Sequence, residues 1–111
     1  MLSKRNRLTK RGSFTYVYKK GKVVKNQFFV FYYLSSTGLR AGFSVNNKIG
    51  KAVKRNKIKR RMRAAFRTMI PQIKASGQMI FLCRNAIISA TYEEILQEMT
   101  NVLRKAELLR D

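Results

Sequence analysis

The side chains best suited to moving a proton or holding a metal are nearly missing from this chain. There is no histidine, one cysteine (Cys83), and five acids, Glu93, Glu94, Glu98, Glu107 and Asp111, all within the last 19 residues. Without histidine the usual general base at neutral pH is lost, and so is every histidine-containing zinc site. Two-metal phosphodiester hydrolysis needs clustered carboxylates. Glu94 and Glu98 stand at i, i+4 but fall on one predicted helix, far along the chain from the basic residues. There they read as a solvated helix face, with Glu94 serving as a cap. Cys83 sits in an apolar run and reads as a small buried hydrophobe. A single cysteine also excludes an internal disulfide, which fits a reducing compartment and a cytoplasmic setting. Autonomous catalysis by the polypeptide is therefore not expected.

Binding chemistry, by contrast, is abundant. Lys plus Arg number 25, for a formal charge of +20, and residues 1–92 hold 22 of these bases with no acid among them. Such self-repulsion costs stability unless a polyanion neutralises it. One basic cluster spans residues 4–25, and a denser one of ten bases spans residues 48–67. Nucleic acid is the partner this predicts, with steep salt dependence from counterion release. A membrane is not expected. The apolar run Phe28 to Leu34 is too short to span a bilayer, no lipid-seeking amphipathic helix is present, and no signal-peptide pattern follows the basic start. Phe14, Tyr18 and Tyr32 lie near basic residues, where aromatic faces can stack unpaired bases. From composition alone, core packing is an equal reading for these three.

The elements that must position these groups fit one domain: 111 residues, 12.9 kDa and 45% hydrophobic. Residues 9–20 read as a short helix capped by Thr9 and stopped by Gly21. Residues 23–34 read as strand, with a short extra strand near Val23-Val24. A turn at Ser35-Ser36-Thr37-Gly38 leads into alternating Leu39 to Val45, which predicts an antiparallel hairpin. Period 2 puts Phe29, Phe31 and Tyr33 on one face and Phe28, Val30, Tyr32 and Leu34 on the other. In a thin two-layer domain the second face is expected to stay open or form a groove. Residues 52–70 read as a helix with an apolar stripe of Ile58, Met62, Ala65, Phe66 and Met69. Lys59, Arg63 and Arg67 form a row beside it, extended by Asn56 and Arg60. Pro71 ends this helix, and Met79 to Cys83 reads as a buried strand. Thr91 with Glu94 forms a capping box for a last helix with Ile95, Met99, Val102, Leu103, Ala106 and Leu109 inward.

The stretch Gly42-Phe43-Ser44-Val45-Asn46-Asn47-Lys48-Ile49-Gly50-Lys51-Ala52-Val53-Lys54-Arg55-Asn56-Lys57-Ile58-Lys59-Arg60-Arg61-Met62-Arg63 closely resembles the signature of the protein subunit of bacterial ribonuclease P. Arg7 to Arg11 with Phe14, Val17, Tyr18, Lys19 and Gly21, and Asn26 to Tyr32, are similar to the same family, so the likeness covers nearly the whole chain. The resemblance implies an α+β, two-layer α-β-β-β-α-β-α sandwich of ribosomal-protein type with a left-handed β-α-β crossover, where ordinary sheet rules predict a right-handed one. It implies a single RNA-binding domain over 1–111 whose partners are the catalytic RNA subunit and precursor tRNA. No obligate protein partner and no protein-bound cofactor are implied; the RNA cleaves the 5′ leader with Mg2+ that it holds itself. Lys48, Lys51, Arg55, Asn56, Lys57, Lys59, Arg60, Arg63 and Arg67 correspond to the RNA-binding motif helix and its lead-in. Phe14, Tyr18, Val30 and Tyr32, with Arg40 and Ser44, correspond to a leader-binding cleft, which puts Phe28 on the groove side as well. The chain departs from the family in Lys57 for a second motif Arg, which removes bidentate phosphate geometry. It also departs in Asn46-Asn47 for Ser-Lys, and in Gly12-Ser13 before Phe14. A small ribosomal protein, a structural RNA binder, fits the composition equally but not the motif.

Overall fold

The computed structural model describes residues 2–110; Asp111, the last of the five acids, lies outside them. The chain runs α1 (Arg11–Lys20), β1 (Lys22–Lys25), β2 (Phe29–Ser35), β3 (Leu39–Ser44), α2 (Ala52–Met69), β4 (Gly77–Cys83) and α3 (Tyr92–Lys105), with short 3-10 turns between. This is the α-β-β-β-α-β-α order. The four strands lie in the order β1-β2-β4-β3.

That order corrects the predicted hairpin. β2 pairs antiparallel with β1 and β4, and β3 pairs only with β4, in parallel. The Ser35–Gly38 turn does not close a ladder. Instead it carries the chain past the slot that β4 fills, and Gly38 accepts a hydrogen bond from the Gly77 N–H at 2.8 Å. The hairpin of this sheet is β1-β2, and β3-α2-β4 is a crossover unit.

Alternation along the strands sorts the sheet into two faces. Phe29, Phe31, Phe43 and Phe81 point to one, where α2 and α3 cover them. Phe81 is the hub: its ring meets Phe29, Phe31, Phe43 and Phe66 at centroid separations of 4.8 to 5.8 Å. The stripe expected on α2 is buried in full, Ile58, Met62, Ala65, Phe66 and Met69, against Ile95, Met99, Val102 and Leu103 of α3. Phe28 joins this core and leaves the groove face. The Asn26 side-chain oxygen accepts hydrogen bonds from the N–H groups of Phe28 and Phe29 at 3.1 and 2.9 Å. The resulting turn means strand alternation starts only at Phe29.

The opposite face is not left wholly open. α1 lies on it and packs Val17, with Leu8, against Ile80 of β4. Thr9 does not cap α1. The helix starts at Arg11 behind Lys10, which makes no side-chain cap bond, because the preceding segment is tied to the outer edge of β3. There the Leu8 N–H donates to Ala41 O at 2.8 Å, and the Asn6 side-chain amide donates to Leu39 O at 2.8 Å. At the other end, α3 stops at Lys105. Glu107 turns the chain at φ 62°, and Leu109 is buried through an antiparallel bridge to Ile73 instead of a helical turn. The Thr91–Glu94 capping box is present in both directions.

Candidate RNA-binding surface

Strand register lays three rows of side chains across the α1 face. Lys25, Val30, Leu82 and Ser44 form one; Val23, Tyr32, Ile80 and Gly42 the next; Leu34, Gln78 and Arg40 the third. α1 covers Tyr32 and Ile80 of the second and Leu34 of the third. Its Phe14 ring lies against Gly42, where a Cβ would collide with the ring, so this position needs glycine for close approach. Tyr18 meets Tyr32 edge to face at 4.8 Å and stands 6.3 Å from Phe14. In the first row Val30 and Leu82 are left half-buried and belong to neither packed cluster, and Lys25 is exposed. The result is a cleft with an apolar floor, an aromatic wall and a lysine at its β1 end.

Burial pushes the Tyr18 phenol above its ordinary value of 10.0, offset in part by a hydrogen bond with the Ser44 side chain; the nearby Tyr32 phenol pushes the same way as burial. Tyr18 therefore keeps its hydroxyl proton and adds no negative charge to a surface meant for an anion. Phe14, Tyr18, Val30, Tyr32 and Ser44 are brought together. Arg40 is not: it is exposed at the other end of β3, about 13 Å along the strand from Ser44, with Gly42 and Phe14 between. Sequence reasoning missed Leu82 and Lys25. The alternation of Ile80 and Leu82 against Met79 and Phe81 hints at the first, but only the register shows that both share a row with Val30.

α2 supplies the charge. Its approach is a 3-10 turn, Asn47–Ile49, where Asn46 Oδ1 accepts from the Lys48 N–H at 2.9 Å. Asn46 thus has a local capping role at this departure from the family pattern. Gly50 follows at φ 158°, and its carbonyl accepts from Arg55 Nη1 at 2.9 Å. Arg55 is in this way folded back over the lead-in, while Lys48 and Lys51 are exposed there. Further along, Lys59 and Arg63 are half-buried, and Asn56, Lys57, Arg60 and Arg67 are exposed. Lys59 is near enough to Cys83 to act on its thiol electrostatically. Burial is the larger influence and pushes the Cys83 thiol up to about 12. It stays protonated and donates to Met62 Sδ at 3.3 Å, as a core residue.

The first turn of α2 carries no acid and no side-chain cap. Its N–H groups and positive dipole end sit beside Lys51, Lys54 and Arg55, an arrangement that favours a bound anion. Two of the carboxylates are occupied elsewhere: Glu94 accepts from the Thr91 N–H at 2.9 Å, and Glu98 from the Asn101 amide at 2.9 Å. Among the described residues no three His, Cys, Asp or Glu side chains gather as a metal site. No helix among them is long and apolar enough to cross a membrane.

A cationic helix on one face of the sheet and an aromatic cleft on the other define a class: small, strongly basic α+β proteins built to meet a polyanion. The family described as Ribonuclease P matches residues 2–107. The ribonuclease P protein component of Shouchella clausii is 35% identical over 111 residues, covering 97% of this chain and 91% of its own. That of Bacillus pumilus is 38% identical over 108 residues, covering 95% and 91%. Among solved structures, the RNase P protein of Staphylococcus aureus has a TM-score of 0.88 at 34% identity, covering 96% of this chain and 100% of its own. That of Thermotoga maritima has 0.83 at 28% identity, covering 91% and 97%. The chain belongs to the ribonuclease P protein family. Its role is that of a subunit of this endoribonuclease, in tRNA processing.

Proposed function

We propose that this chain, as one RNA-binding domain over residues 1–111, docks the catalytic RNA of ribonuclease P and holds the 5′ leader of precursor tRNA while the RNA cuts it. The observation that carries this reading is the acid-free cationic side of α2 on one face of the sheet together with the half-covered cleft on the other. Lys48, Lys51, Arg55, Asn56, Lys57, Lys59, Arg60, Arg63 and Arg67 meet the catalytic RNA. Phe14, Tyr18, Val30, Tyr32 and Ser44 line the path of the single-stranded leader, and Leu82 joins them on the floor. Arg40 contacts phosphate beyond α1. An apolar floor with aromatic walls suits unpaired bases, whose stacking on an aromatic ring contributes about 1–3 kcal/mol each.

The bond-breaking chemistry lies in the RNA, because this chain has no histidine, and Glu94 and Glu98 are engaged within α3 and its cap. Mg2+ is held by the RNA and supplies charge neutralisation there; among the described residues no three His, Cys, Asp or Glu side chains gather to hold it. The protein's own part is electrostatic. Its lysines and arginines lower repulsion between leader, tRNA and catalytic RNA, so fewer metal ions are needed. The setting is the cytoplasm, and no further protein partner is required.

Reconstitution tests this. With a bacterial ribonuclease P RNA, the protein should sharply raise precursor-tRNA cleavage at low Mg2+, with the product's 5′ end at the mature position. No gain would refute the reading. Within it, Tyr32→Ala should weaken binding of long-leader precursors by about tenfold, the effect of one lost stack, and spare mature tRNA. Equal losses for both would remove Tyr32 from the leader path.

A further inference from the structure

Side chains step about 100° around an α-helix, and on that wheel the buried stripe of α2 takes up roughly a third of the circumference. Bases occupy both sides of what remains. Lys59, Arg63, Asn56, Arg67 and Arg60 follow one flank. Lys57, Arg61 and Lys54 follow the other, and a ridge of Val53, which is 82% exposed, and exposed Ala64 separates them. The second flank is also a concave surface. Lys51, Lys54, Lys57 and Arg61 surround a groove of about 470 Å³ floored by Ile58 and Ile88. Arg61 is held there, its Nη1 donating to the Ala90 carbonyl at 3.1 Å. A helix lying along one phosphate backbone needs bases on one flank only.

We infer that α2 is inserted between two RNA backbone segments, with Lys54, Lys57 and Arg61 contacting a second strand on the flank opposite Lys59, Arg63 and Arg60. This rests on the RNA-binding reading above and adds the geometry of the partner. A helix with its side chains is about 10–12 Å across, so the two backbones must stand at least that far apart. The major groove of a regular A-form duplex is too narrow and deep for this. The recognised element is therefore an opened groove or a junction where two strands diverge.

Tethered cleavage reads this directly. Cys83 is 7% exposed with its thiol protonated, so a cysteine introduced as Lys54→Cys or Arg60→Cys is the site that takes an iron-EDTA label. Bound to a bacterial ribonuclease P RNA, the two labelled proteins should cut two separate backbone tracts. One shared tract, or cuts from position 60 alone, would overturn the insertion and leave the docking role intact. Silence from both positions would overturn the insertion together with the docking role, which the reconstitution assay tests independently. A second measurement avoids the label. Lys54→Gln with Lys57→Gln should lower the slope of log affinity against log salt by about two units, and Arg60→Ala by about one. An unchanged slope in the double variant would also refute the second strand.

Discussion

Helices α2 and α3 pack against one another and bury matching stripes, yet their ends follow opposite electrostatic plans. α3 opens with a capping box and two acids, Glu93 and Glu94, and closes with Arg104 and Lys105, each charge opposing the helix dipole. α2 opens uncapped among lysines and arginines and carries no acid anywhere along its length. The same sheet supports both, so packing does not explain the difference. α3 is complete within the folded chain, whereas α2 is electrostatically complete only with an anion on it. A helix that departs from local stability rules on its exposed side while obeying them on its buried side marks where the partner sits.

The buried sides should respond alike. Phe66→Ala on α2 and Met99→Ala on α3 should each lower stability by about 2–5 kcal/mol in urea denaturation. A much smaller loss for Phe66 would mean α2 is not anchored as the core implies. The exposed ends should then diverge. Thr91→Ala should cost about 1 kcal/mol of stability and leave RNA affinity unchanged; a loss of affinity would put α3 in the binding surface. The Glu94 half of the capping box has a pH signature. Hydrogen bonds from the Thr91 backbone and side chain hold the Glu94 carboxyl below its ordinary value of 4.5. The folded chain thus takes up that proton less readily than the unfolded one. The stabilisation is present above 4.5 and fades as pH falls through the lowered value, so the gap between wild type and Glu94→Gln should narrow in acid. The smallest effect on stability is the most diagnostic. Ala52→Glu places an acid in the first turn of α2 and should stabilise the free protein by about 0.3–1 kcal/mol while weakening RNA binding. Gain without loss in that variant would show that α2 waits for no anion.

The α2 stripe was legible because it is local: a 3.6-residue period, ended by Pro71, fixes which five residues turn inward. The capping box was legible for the same reason. The β2–β3 pairing was not, since strand order depends on β4, which arrives some 40 residues later and takes the slot between them. Phe28 escaped because one asparagine side chain reset the alternation. In the cleft, aromatic identities and strand parity pointed to Tyr32 and Val30. Leu82 and Lys25 enter only through register, and the separation of Arg40 from Ser44 only through the ring of Phe14 lying between them.

The segment that straps the outer edge of β3 has a consequence for life without RNA. Sheet rims with free N–H and C=O groups recruit further strands. Here one rim is occupied by residues 6–8, and the other is a four-residue strand bracketed by Lys22 and Lys25. Neither border therefore offers a long unpaired edge as a template for amyloid-like growth.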